Sequence, residues 1–367
     1  MSMEPSADDS PTDDQWYDPE TGAGDRGAVA EMETDAAQTV EVEGPGEGIG
    51  TGLTLPADRV RLLNYAAELE ANDWKPRERA FSARVWAQVS LPYRDPGQVP
   101  FWVRKNGDVT LRVRPASVTD RQGNDKVAYP FGILPRHIMM WMSTEATRTK
   151  NRELVLGSSM AQFMEKIQIE KGGNSRARVR AQMERVFGSQ LSVEGLARGA
   201  EGEGYGQAKR YFQIADATQL WFSENEELEA EGLWSSKIIL SDPFYQSIVD
   251  SPIPTDPAAL RAFGTKAMTF DIYVWVAYRL YSLEHPTRMA WKDLHIQFGS
   301  QHKRLRDFRS AFADSLRDIA ILMPKLKYEV EAEYLLLYPG PTPIESLNKR
   351  QMVRSGRRIP RPVSPPS

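Results

Sequence analysis

Twice along this chain, a short helical segment, a glycine-bearing turn and a longer helical segment rich in Arg or Lys run into strand-forming residues. That recurrence constrains the fold more than any bulk property. A helix can dock on its neighbour through one apolar stripe and keep a charged face outward, while the strands behind it close as a hairpin. The first occurrence begins with a helix over about Pro135–Thr149, in which Ile138, Met142 and Ala146 repeat at helical spacing. Gly157 interrupts the chain. Ser159 then caps a short helix, with Gln162 in the reciprocal capping position and Phe163, Met164 and Ile167 apolar. Gly172–Asn174 makes a turn, and SRARVRAQMERVFGS follows with Val179, Met183 and Val186 inward. Leu191–Val193, a Gly-rich loop to Gly206 and Lys209–Ile214 supply a two-stranded ribbon.

The second occurrence starts with helical PAALRAFG (257–264) and MTFDIYVWVAYRLYSL (268–283). Thr287–Trp291 is a short strand entering the helix WKDLHIQF, and Gly299 is the turn. HKRLRDFRSAFADSLRDIAI is a long helix whose stripe is Leu305, Phe308, Phe312, Leu316 and Ile319. Pro324 ends it, and Leu326–Val330 with Glu333–Pro339 form a hairpin. Three helices followed by a ribbon, twice, predict tandem winged helix-turn-helix modules. The fold class is therefore mainly α with small β wings, an α+β chain. Ahead of the modules, Pro56 and Asp58 open a helix, Ala83–Tyr93 alternates like a strand, and Trp102–Pro115 reads as a hairpin about an Asn106-Gly107 turn of type I′. The division that follows is an acidic disordered tail 1–55, a helix and hairpin region 56–128, modules at 129–230 and 231–342, and a basic Pro-rich disordered tail 343–367.

Charge is distributed to match. The formal net charge of −4 sums two unlike parts. Residues 1–58 hold 15 acidic residues against Arg26 alone, and the other 309 hold 45 Lys and Arg against 35 Asp and Glu. A basic body with an acidic leader points to nucleic acid. The basic residues gather where a recognition helix needs them. Arg176, Arg178, Arg180 and Arg185 lie off the Val179/Met183/Val186 stripe, and Lys303, Arg304, Arg306 and Arg309 crowd the start of the second long helix. Arg reads guanine because its fork matches O6 and N7. Lys209 and Arg210, and Lys325 and Lys327, stand where wings would touch phosphate. One such cluster is commonly a solvated helix face; two at the same relative position point to DNA.

Other chemistries lack their residues. The chain has no cysteine, so thiol nucleophiles, disulfides and Cys-ligated metals are excluded. Its histidines, His137, His285, His295 and His302, form no H-x-H, H-E-x-x-H or i, i+4 pair, and no P-loop is spelled. The expectation is a non-enzyme without cofactor or metal. Trp141, Trp234, Trp275 and Trp291 sit at core spacings rather than as a base-stacking platform. No run reaches the ~18–20 apolar residues of a membrane span, so a cytoplasmic protein is expected.

Several ordered stretches resemble the plasmid-encoded RepA replication-initiator family of bacteria, actinobacterial members most. They are YPFGILPRHIMMWMSTEATRTKNRELVLGSSMAQFMEKI (129–167), GGNSRARVRAQMERVF (172–187), FDIYVWVAYRLYSL (270–283) and RMAWKDLHIQFGSQHKRLRDFRSAFADSLRDI (288–319). With LPYRDP and WVRKNGDVTLRVRP they span about 85–340. The resemblance implies an initiator that binds repeated double-stranded sites at its plasmid origin and helps open the duplex for host replication proteins. It also implies dimers that repress and monomers that initiate; no dimer interface is legible in the sequence. The loop Glu194–Gly206 departs from this picture, since Arg198 is its only base. The competing readings are a winged-helix autorepressor, which the same modules would serve, and a nuclease or relaxase, which lacks a ligand set.

Overall fold

The computed structural model describes residues 39–40, 55–71, 79–119, 123–170, 172, 174–198, 205–219, 236–299 and 302–344. Both tails expected to be disordered lie outside these residues, apart from 39–40, 55 and 343–344, as do Trp234 and the tip of the Glu194–Gly206 loop. Within residues 1–60, β1 (Thr39–Val40) pairs with β2 (Leu55–Pro56), and α1 (Ala57–Ala71) begins where Pro56 and Asp58 suggest.

β3 (Ala80–Ala83) leads into α2 (Arg84–Gln88), a turn of helix where the sequence alternates like a strand. The expected strand at Ala83–Tyr93 is thus corrected. Ala83 and Ala87, four apart, are both buried, and a run this short satisfies either period. β4 (Trp102–Asn106) and β5 (Val109–Arg114) form the expected hairpin with its turn one residue on. Asn106 pairs with Val109, which leaves Gly107-Asp108 as the loop. Gly107 has φ +52 and Asp108 is not at positive φ, so glycine leads the loop as in type II′ rather than I′. β6 (Ala116–Thr119) and β7 (Asp125–Ala128) make a second hairpin.

α3 (Ile133–Thr149) follows Gly132. Pro135 falls in its first turn, where a missing N–H costs nothing. It ends at Lys150, left-handed at φ +56, whose N–H reaches the Ala146 carbonyl. Most of α3 is buried, because it lies between two cores: Ile138, Met142 and Ala146 face one, and Ile133 and Met140 the other. β8 (Glu153–Gly157) and α4 (Met160–Lys166) follow. The Ser159 hydroxyl accepts from the Gln162 N–H as expected, but Gln162 Oε1 answers to the Ser158 N–H, one residue early. α5 (Ser175–Gly188) buries Val179, Met183 and Val186. β9 (Gln190–Arg198) and β10 (Tyr205–Gln213) then form a nine-residue ladder.

That ladder does not stand alone. β9 also pairs with β5, giving a four-stranded sheet in the order β10-β9-β5-β4. β11 (Ala215–Gln219) pairs with β12 (Ser236–Leu240), and β12 with β8. α6 (Asp242–Val249), capped by Ser241, buries Phe244 and Ile248 in the same core as α3, α4 and α5. β13 (Pro252–Thr255) pairs back to β3, and its Ile253 lies in a second core that also takes Leu62, Ala80, Ala87, Ile133 and Met140.

α7 (Pro257–Phe263) and α8 (Ala267–Ser282) come next; α8, apolar on nearly every side, is buried along most of its length. β14 (Thr287–Ala290), α9 (Trp291–Phe298), α10 (Leu305–Leu322), β15 (Tyr328–Val330) and β16 (Tyr334–Leu337) are the last elements among the described residues. β16 lies between β14 and β15. Phe308, Phe312, Leu316 and Ile319 are fully buried, the expected stripe of α10. Trp275, Trp291, Phe298 and Phe312 meet edge to face with centroids 5.3–6.0 Å apart. Trp141, Trp275 and Trp291 are thus core residues, not a stacking platform.

Candidate nucleic-acid interface

Each long basic helix is set by a short helix and a turn that histidine anchors. In the first unit, α4 runs into Ile167 and Gln168, the latter left-handed at φ +59. His137 on α3 is buried beneath this turn, and its Nδ1–H donates to the Ile167 carbonyl at 2.7 Å. Burial holds the imidazole down to a pKa of about 4, so it is neutral at pH 7. In the second unit α9 ends at Gly299, φ +48, whose N–H reaches the His295 carbonyl. The His295 ring packs on Phe308, with Nε2 3.0 Å from the His302 carbonyl. His295 and His302 are accordingly packing and turn residues.

The basic side chains separate into groups. On α5, Arg178 is exposed and Arg176 and Arg180 are half-buried. Arg185 is turned to the protein, stacked on Phe131 at 5.1 Å and 3.7 Å from Asp95. On β10, Lys209 and Arg210 keep their strand, but their side chains lie outside the described residues. In the second unit the long helix starts at Leu305, three residues after the sequence suggests. Lys303 and Arg304 therefore stand exposed in the turn rather than on the helix. Arg306 is exposed at the first turn beside Asp307. Arg309 instead donates from Nη1 to the Ala332 carbonyl at 2.7 Å. The Trp291 indole donates to the Glu331 carbonyl nearby, so both hold the β15–β16 hairpin against the helices. Lys325 and Lys327 are exposed at the base of that hairpin.

This arrangement gives each unit an amphipathic helix with cations at its outer, N-terminal part and a ribbon alongside. Among the described residues, no group of three or more His, Asp or Glu side chains could hold a metal ion. No helix among them is long and apolar enough to cross a membrane.

Sequence reasoning gave no role to three residues that join the two cores. Arg136 on α3 and Asp271 on α8 form a buried bidentate ion pair, 2.8 Å from Nε and 2.6 Å from Nη2. Arg136 also donates to the carbonyls of Leu91 and Gly132, at 2.9 and 2.5 Å. Burial alone would lower this guanidinium; Asp271 outweighs it and holds the group above its ordinary value. A cavity of about 20 Å³, room for one water, adjoins the pair between Ser82, Trp86, Met140 and Phe270. The third residue, Arg104, lies on β4 with its guanidinium over the Trp102 ring at 4.5 Å. Arg136 was visible within the P-x-G-x-L-P-R stretch, but nothing in the sequence pairs it with a carboxylate 135 residues away.

Residues 129–292 match the family model described as plasmid encoded RepA protein. That span runs from the residue after β7 to the start of α9. No curated protein matches the chain. Among solved structures, the chain is similar to RctB domains 2-3 (RctB-155-483), with 11% identity, a TM-score of 0.43, and 70% of this chain and 96% of that one covered. A selenomethionine form of RctB domains 2 and 3 gives 12% identity and a TM-score of 0.44, covering 70% and 97%.

Proposed function

We propose, from the match of residues 129–292 to the family model described as plasmid encoded RepA protein, that the chain is a replication initiator acting on double-stranded origin DNA. In this reading two winged helix-turn-helix units read adjacent half-sites. α5 and α10 enter successive major grooves, and the β9–β10 and β15–β16 hairpins approach the backbone. The observation that carries it is the recurrence, once within residues 129–292 and once just after them, of a basic helix that follows a histidine-anchored turn.

Roles follow from placement. Arg176, Arg178, Arg180, Lys303, Arg304 and Arg306 are the base and phosphate contacts, and Lys325 and Lys327 are phosphate contacts. Arg185, stacked on Phe131 near Asp95, and Arg309, bonded to the Ala332 carbonyl, serve mainly in packing. Opening the duplex would draw on binding energy spent in deforming DNA, with no catalytic group of the protein's own. The exposed strand would then be handed to host replication proteins in the cytoplasm.

A winged-helix autorepressor would use the same surfaces. Transformation separates the two: a marker circle carrying this gene and its flanking DNA should be maintained without another origin. Failure to maintain it, with promoter repression intact, would favour the regulator.

A further inference from the structure

The four-stranded sheet connects parts of the chain that belong to different helix-turn-helix units. One of its edges is β10, from the hairpin that follows α5. The other is β4, which bears Arg104. Arg104 presses on Gly299, the turn residue between α9 and α10: a Cβ placed on Gly299 would stand 0.9 Å from its Nη1. Desolvation by burial lowers the pKa of this guanidinium, and its Nε is shut off from solvent without a hydrogen-bond partner. A second contact lies two residues earlier, where Gln297 Nε2 donates to the Ala87 carbonyl at 3.2 Å. Segments that precede both units therefore grip the second unit at its turn, while the β5–β9 ladder ties them to the first unit's hairpin.

We propose that the β4–β5 hairpin, through Arg104 seated on Gly299, is a positioning element that fixes the separation of the two units and so makes half-site spacing a determinant of DNA specificity. The proposal rests on the DNA-binding reading above. Its physical basis is the difference between rigid and flexible linkage. Two joined modules gain affinity only when both reach their sites together, and a flexible joint tolerates a range of separations. Here the joint is a sheet, about 14 Å across its three strand gaps, ended by an arginine wedge. One added base pair moves a half-site by about 3.4 Å along the axis and about 35° around it. A joint of this kind cannot follow that displacement without leaving Gly299. Glycine is needed at the turn for its positive φ and for the room the wedge takes.

The test uses the full chain and a pool of random-sequence duplexes, selected for binding and sequenced. The wild type should enrich two half-sites at a single spacing, with a preference of about tenfold or more over spacers one base pair longer or shorter. Arg104→Ala should enrich the same half-sites with that preference reduced to about twofold. A DNA-independent measurement accompanies it. Because the chain has no cysteine, Glu184→Cys on α5 and Ser310→Cys on α10 accept spin labels at two exposed positions. Their distance distribution should be narrow in the wild type and broad in Arg104→Ala. If that variant loses its native circular dichroism, Gln297→Ala carries the same comparison. Half-sites enriched by the wild type without a fixed spacing would overturn the positioning role and leave DNA reading intact. So would sharp spacing and a narrow distribution retained in both variants. No enrichment by the wild type would overturn the DNA-binding reading itself.

Discussion

Replacing Asp271 with Ala tests how the two cores are held together. Asp271 and Arg136 are 6% and 5% exposed, so water does little to screen their pair. Removing the carboxylate deletes two charge-assisted hydrogen bonds and leaves a guanidinium buried. The carbonyls of Leu91 and Gly132 still accept from it, but no negative charge remains in contact. Breaking a buried pair from one side costs about 3–5 kcal/mol, a large part of the roughly 5–15 kcal/mol that stabilises a domain. Asp271→Asn keeps a neutral acceptor and should cost less, about 1.5–3 kcal/mol. Urea unfolding reads the difference, with Trp141 reporting on one core and Trp275 and Trp291 on the other. Asp271→Ala should lower the midpoint by about 1–2 M. The two cores should also lose their common transition. A loss below about 1 kcal/mol with one coincident transition would refute the reasoning, since it would mean that the pair is solvated or redundant.

Three further outcomes are expected. His137 has its pKa depressed to about 4 against an ordinary 6.5, so the unfolded chain binds more protons between those values. Stability should therefore be full above pH 6.5 and fall as pH drops toward 4, by roughly 3 kcal/mol in all; urea titrations of the wild type and His137→Gln should show that slope lost in the variant. Arg180→Ala and Arg306→Ala should relax base preference at single positions by about 1–3 kcal/mol, whereas Lys327→Ala should weaken binding to every sequence alike and lower the salt slope by about 1. Deleting residues 1–55, which carry almost all of the leader's charge, should raise non-specific DNA affinity at low salt in a filter-binding assay; unchanged affinity would remove the leader's part as an anionic screen.

Most of the helices were legible from their own periodicity and punctuation, whereas α2 reads as a strand and α6 was not anticipated. The α10 stripe from Leu305 to Ile319 and the Ser159 cap are local statements, and local signals survive into the structure. Pairings between distant strands leave no such trace. Nothing in Ser236–Leu240 says that it lies between β8 and β11, nor in Val109–Arg114 that it extends the ladder of β9. The candidate interface was legible as a charge pattern only. Arg185 and Arg309 look like their neighbours in the sequence, and only packing shows that Phe131, Asp95 and the Ala332 carbonyl engage them. Helix starts set by packing are equally hidden, which is why Lys303 and Arg304 fall in the turn.

The central claim is sequence-specific recognition of origin DNA by two linked units. Its most direct test is an equilibrium titration of the full chain against short direct repeats taken from beside its gene and against random duplex of equal length, at about 150 mM salt. The account predicts binding to the repeats tighter by about 10³-fold or more, and a loss of most of that margin when one half-site is scrambled. Equal affinity for both duplexes would contradict it.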